Sequence, residues 1–167
     1  MRDATPDDAK AVAGVHVASW QAAYRHALAP EVLDAMTAAD RLPAWQWRLA
    51  LPPSRAAHVL VAEADGVVVG LAGTQLHEGD EPDVGELLQL YLDPAAFGTG
   101  VAQALHDAVL ERFRSDRCTV ALLDVEVDNA RARRFYERNG WQPVPGSERD
   151  VEAWGVAIRC IDHRLAL

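Results

Sequence analysis

The chain has 167 residues and a mass of 18.2 kDa, which fits one domain over 1–167, and a domain that size buries roughly 70% of its unfolded surface. A formal charge of −9, a pI near 5.0 and arginines spread along the chain without a basic block argue against nucleic acid as a partner. Half the residues are apolar, but no apolar run could span a membrane and no charged start leads into an apolar segment, so the expectation is a soluble, cytoplasmic protein with no membrane partner.

Thr5-Pro6-Asp7-Asp8 has the pattern of a helix start, with Thr5 as cap, proline at the first helical position and an acid three residues after the cap. Ala13, Val17, Trp20 and Tyr24 then recur at spacings that share one helix face, and Leu42, Trp45 and Leu49 repeat the pattern after an expected break at Pro43. From 58 to 77, two β-branched runs flank Asp65-Gly66, a dipeptide suited to a tight hairpin turn. Strands are expected over 86–92 and 118–127, with a helix from near Gly100 between them, which is the order of a crossover unit. A helix capped by Asn129 should run to Asn139-Gly140, and 154–167 alternates as a last strand. Cys118 and Cys160 lie in separate apolar stretches without metal-site spacing and read as core residues, so no metal is expected.

The segment "LYLDPAAFGTGVAQAL" passes from strand to helix through Gly98 and Gly100. Glycines let a ligand approach the backbone, and the free N–H groups of a helix start favour a phosphate. No GxxxxGK[ST] occurs, and Gln103 stands where a GxGxxG pattern needs its third glycine, which leaves dinucleotide-dependent hydride chemistry a weak reading.

"GELLQLYLDPAAFGTGVAQAL" resembles the acetyl-CoA-binding motif of the GNAT superfamily of N-acetyltransferases, and "DNARARRFYERNGW" resembles the same family's next motif, in the same order and at its usual separation. The resemblance covers nearly the whole chain. It implies an α/β (α+β) fold with a mixed, mainly antiparallel sheet, flanked by helices and splayed at its centre. It implies acetyl-CoA as donor, its pyrophosphate held by the backbone of Phe97, Gly98, Thr99, Gly100, Val101 and Ala102. The main chain of Leu90 and Leu92, with Asn129, would hold the pantetheine arm. The motif usually opens with glutamine or arginine where this chain has Phe97, so side-chain help with the phosphates is expected to be lost there. Similar proteins commonly self-associate, which makes a homodimer the expected assembly.

Amine acetylation needs a neutral amine and a proton for the departing thiolate. In the resembling enzymes the tyrosine at position 136 is the general acid, and Asn129 lies two helical turns before it on the same face. Glu86 is the candidate base, since strand alternation would set it on one face with Leu88, Leu90 and Leu92, in apolar company. His77 and Glu78 are weaker candidates for the same task. Trp20, Tyr24 and His26 sit where similar proteins wall the acceptor pocket, and Arg149 and Asp150 are loop residues that could select an acceptor's charge. The resulting expectation is an enzyme that acetylates a primary amine of a small molecule or peptide by direct attack. A non-catalytic acyl-CoA-binding protein with the same fold is the alternative.

Overall fold

The structure, a computed structural model, describes residues 1–52, 57–76 and 84–167. His77 and Glu78 fall outside the described residues. A short strand β1 (Arg2–Asp3) leads through a 3-10 turn (Pro6–Asp8) into α1 (Ala9–Ala23). The helix start is fixed as its residues suggest: the Asp8 carboxylate accepts from the Thr5 N–H at 2.7 Å and from Arg2 at 2.7 Å. The Arg2 guanidinium holds that carboxyl well below the usual range. Helix α2 (Pro30–Ala35) follows, then α3 (Ala38–Ala50), which passes through Pro43 without the expected break. Only the bond to the Ala39 carbonyl is forgone there, close to an end whose first N–H groups lack helical partners anyway.

Strands β2 (Ala57–Ala64) and β3 (Val67–Leu76) form the expected hairpin, with both Asp65 and Gly66 at positive φ. Strand β4 (Val84–Leu92), a 3-10 turn (Pro94–Ala96), α4 (Val101–Ser115) and β5 (Val120–Glu126) then make the crossover. Helix α5 (Ala130–Arg138), β6 (Gln142–Pro143), β7 (Arg149–Ala153) and β8 (Val156–Ala166) complete the chain. The sheet runs β1-β2-β3-β4-β5-β8-β6, with β7 on β8, and every pairing is antiparallel except β4 with β5. Leu105, Val109 and Phe113 of α4 bury one face against Ala72, Leu87 and Leu92. Val12, Trp45 and Leu49 bury the other against Val59, Val61 and Leu71. Cys118 and Cys160 are both buried, but Cys160 stands opposite Glu126, at the far end of β5 from Cys118.

Two irregularities shape the centre. β4 and β5 pair only where Val84, Gly85 and Glu86 meet Val120, Ala121 and Leu122, and beyond that they part. On the other side of β4, Thr74 stands opposite Leu87 and Gly73 opposite Gln89, so Leu88 is an extra residue in a bulge. The expected alternation is therefore broken. Residues paired across a sheet share a face: Glu86 lies with Gln75 and Leu71 on the α1/α3 side, while Leu90 and Leu92 lie with Ala72 and Gly70 on the α4 side.

Two histidines are wedged between the helices and their neighbours as hydrogen-bond acceptors. The Trp45 indole N–H donates to Nδ1 of His16 at 3.1 Å, and that of Trp141 to Nε2 of His106 at 2.9 Å. Burial pushes His16 down to about 4 and lowers His106 as well. Because the folded values lie below the unfolded one near 6.5, the unfolded chain takes up protons first as pH falls. The protein should therefore be most stable above about pH 6.5 and lose about 1–2 kcal/mol through His16 on going to pH 5, with a further loss through His106. Urea melts at pH 7.5 and 5.0 measure this loss, and His16→Gln, which keeps an acceptor for Trp45, should reduce it.

Candidate active site

Where β4 and β5 part, the molecule opens a cavity of about 780 Å³, within the size range of small-molecule sites. Leu87–Leu92 line one side with their unpaired edge, and Asp124, Val125 and Glu126 line the other. At one end stands the glycine turn. Asp93 accepts from the Ala95 N–H at 2.8 Å and Thr99 donates to the Ala96 carbonyl at 2.7 Å, which winds the chain into α4. Gly98 and Gly100 hold φ of +79° and +89°, and a Cβ built on either would meet nothing within 4 Å. Gly100 caps α4 without a side chain, and the first intrahelical bond is from Ala104 to the Gly100 carbonyl. The N–H groups of Val101, Ala102 and Gln103 thus have no helical partner and lie at the positive end of the dipole. Bare backbone donors beneath open space fit an anionic diphosphate.

Phe97, Gly98, Gly100 and Ala102 line the cavity, whereas Thr99 and Val101 do not. The Arg131 guanidinium lies over the Phe97 ring at 3.5 Å and also lines the cavity. A cation thus stands at the motif position where the sequence alone reads its loss. Asn129 caps α5, its side-chain oxygen accepting from Ala132 N–H at 3.0 Å, and lines the cavity from the middle.

Tyr136 enters from the α5 side. It is buried among Phe135, Trp141 and His163, with ring centroids 5.4 to 6.5 Å away, and packs in one core with Leu123. Burial, with smaller contributions from Tyr91 and Asp124, pushes its hydroxyl far above the ordinary tyrosine range, so it stays protonated.

The carboxylates come from the opposite side. Leu122 pairs with Glu86 across the sheet, so Asp124 and Glu126, two and four residues on, face the α1/α3 side with Glu86. Glu86 accepts from Gln75 Nε2 at 2.7 Å and does not line the cavity. Asp124 does, and sequence reasoning missed it although acids at 124 and 126 in an apolar strand were a visible signal. Burial raises the Asp124 carboxyl, Arg149 at 3.2 Å offsets part of that, and Asp162 and Glu86 raise it further. Arg149 also pairs with Asp162, and Asp150 pairs with Arg159, so both residues, expected in a loop, instead begin β7 and serve local ion pairs. Glu126 is 4% exposed, accepts from Asp128 N–H at 3.1 Å and meets His26 Nε2 at 3.0 Å.

Trp20 and Tyr24 wall the same end, with ring centroids 4.4 Å apart, and His26 beside them completes the three acceptor-side residues expected from the sequence. The structure thus assembles one cleft with backbone donors at one end, aromatics at the other, and a phenol and a carboxylate facing its middle from opposite sides. No group of three His, Cys, Asp or Glu among the described residues could hold a metal ion, and no helix among them is long and apolar enough to cross a membrane.

The sequence pattern of the Acetyltransferase (GNAT) family matches residues 19–141, which include the glycine turn, Asn129 and Tyr136. The chain belongs to this family. It is 36% identical over 135 residues to an uncharacterised N-acetyltransferase of Mycobacterium tuberculosis, covering 81% of this chain and 83% of that one. A shorter likeness, 38% over 76 residues, links 44% of the chain to 25% of a mycothiol acetyltransferase of Rhodococcus erythropolis. Among solved structures, a GCN5-related N-acetyltransferase from Rhodopseudomonas palustris superposes with a TM-score of 0.76 at 25% identity, covering 99% of this chain and 94% of that one. A PaiA N-acetyltransferase from Thermoplasma acidophilum, in complex with coenzyme A, gives 0.70 at 18% identity, covering 96% and 95%. This GNAT chain is an acetyltransferase.

The open turn has a measurable signature. Alanine at position 98 or 100 meets no atom but must hold a left-handed backbone, so each substitution should lower stability by about 1–2 kcal/mol in urea melts.

Proposed function

We propose that this enzyme transfers the acetyl group of acetyl-CoA to a primary amine by direct attack, within a single domain. The observation that carries the reading is the opposition of Tyr136 and Asp124 across the gap between β4 and β5. When bound, acetyl-CoA supplies the electrophilic thioester carbonyl and a thiolate leaving group. The backbone of Phe97 to Ala102 holds the pyrophosphate, and Arg131, steadied on Phe97, adds the side-chain charge. Asn129 and the main chain of Leu90 and Leu92 orient the arm.

An alkylammonium has a pKa near 10, so at neutral pH it must first give up a proton. Asp124, raised by burial and standing in the cavity, accepts it, and Glu86 behind it supports the negative field. This divides the task expected of Glu86, which stands near Asp124 but outside the cavity lining. Tyr136 gives its proton to sulfur. A free alkyl thiol near 8.5 is a weaker base than a buried tyrosinate, but the burial that raises the phenol also raises a thiolate held beside it, which narrows the gap between the two.

Calorimetry with acetyl-CoA tests the donor site. Gly98→Arg should abolish binding. Arg131→Ala should weaken it about tenfold or more, the size of a lost charge-assisted hydrogen bond, and Phe97→Ala, which removes the support, should weaken it less. Unchanged affinity in both glycine and arginine variants would remove the phosphate assignment. Tyr136→Phe should retain acetyl-CoA affinity and lose about 10²–10⁴ in kcat. A wild-type protein that binds acetyl-CoA and acetylates no amine would favour the non-catalytic alternative.

The raised Asp124 carboxyl predicts a pH dependence. Its folded pKa lies above the ordinary carboxylate value, and the ionised form is the active one. The acid limb of kcat/KM should therefore fall at a pH above the ordinary carboxylate range, and Asp124→Asn should remove that limb.

A further inference from the structure

Resting on the amine-acetylation reading, we infer that the acceptor is a primary amine carrying an aromatic body and no carboxylate. The acceptor end of the cavity joins two surfaces. One is a continuous aromatic wall: Trp20 stacks on Tyr24 at 4.4 Å, and Tyr91 lines the cavity beside them. Ile158 and Ala153 of the β7–β8 hairpin close the opposite side with apolar surface. An aromatic wall of this kind takes a ring by offset or tilted stacking, and its π faces also favour an ammonium.

The other surface is acidic, lined by Asp124, Glu126 and Asp128. Asp124, half-buried, takes the ammonium in the proposed reaction. Glu126 is engaged by His26 and by the Asp128 amide and is buried beneath them, while the exposed Asp128 also lines the cavity. A free amino acid would bring its carboxylate to the same place. Among the described residues lining this end, His26 is the side chain able to carry positive charge, and it meets Glu126. Arg149 nearby is bound to Asp124 and Asp162. An acceptor carboxylate would therefore face like charge without a partner, which is a means of rejection.

The transfer balances with these groups alone. The ammonium loses two protons: one passes through Asp124 to solvent, and the other replaces the proton that Tyr136 gives to sulfur. The N–C bond forms as the C–S bond breaks.

The test uses matched acceptors with saturating acetyl-CoA, following release of the CoA thiol. 2-Phenylethylamine and phenylalanine differ only by the carboxylate, and butylamine and putrescine lack the ring. The expected result is a kcat/KM for phenylethylamine about a hundredfold above phenylalanine and about tenfold above butylamine and putrescine. Tyr24→Ala should erase the advantage over butylamine while acetyl-CoA affinity stays unchanged, and because Tyr24 is only half-buried the variant should fold; Trp20→Phe, which keeps a ring, should retain much of it. Phenylalanine, putrescine or a lysine peptide turned over as well as phenylethylamine would overturn the inference and leave amine acetylation standing. Acetyl-CoA binding without turnover of any of these amines would also overturn it. Failure to bind acetyl-CoA would instead remove the reading beneath it.

Discussion

The parting of β4 from β5 is the constraint on which the rest of the structure depends. A parallel pair joined by a crossover helix would ordinarily continue its ladder to the strand ends, and here it stops at Glu86 and Leu122. Backbone groups beyond that point lose strand partners, a state that is unfavourable when buried and becomes useful when a ligand supplies the missing bonds. The gap also lets groups from opposite faces of one sheet meet. Tyr136 belongs to the core under α5, and Asp124 faces the α1/α3 side, yet each feels the other's field. In an unbroken sheet the strands would stand between them.

The bulge at Leu88 is the second half of the same device. It lets β4 keep pairing with β3 while its direction shifts away from β5, and it reverses the facing of everything beyond it. Glu86 is left on the acceptor face, hydrogen-bonded to Gln75, while Leu90 and Leu92 turn toward α4 and the donor side. A regular strand would have set one set of side chains on one face, with the acid among leucines.

The turn glycines, the Asn129 cap, the Asp65-Gly66 hairpin and the crossover order were legible because each is a local signal: a backbone conformation or a cap decided by a few adjacent residues. Tyr136 was legible by its register on a short helix. The facing of Glu86 relative to Leu90 and Leu92 was misread because the bulge has no local mark, Leu87 and Leu88 being equally apolar. The passage of α3 through Pro43 was also hidden, since tertiary burial of Trp45 and Leu49 outweighs the bond forgone. Asp124 and Glu126 could have been found. Charged residues two apart in a strand otherwise suited to burial mark a face that meets something polar, and here that face meets the cleft and His26.

Phe97 shows most clearly why a motif read position by position is incomplete. Replacing a polar side chain with a ring removes a phosphate contact in the sequence, but the ring offers a π face, and α5 lies close enough to bring Arg131 over it at 3.5 Å. A guanidinium stacked this way loses little of its hydrogen-bonding capacity, since its N–H groups project from the edge of the plane while the ring occupies only the face. Arg131 is one turn or less from Asn129, so the helix that caps on the cleft also carries the cation to its phosphate end. In the proposed reading, the charge near the diphosphate thus moves from the loop to a helix already fixed by its cap. One short element thus carries three residues of the cleft: a change that loosened the start of α5 would displace Asn129 and Arg131 together, and Tyr136, two turns along, with them.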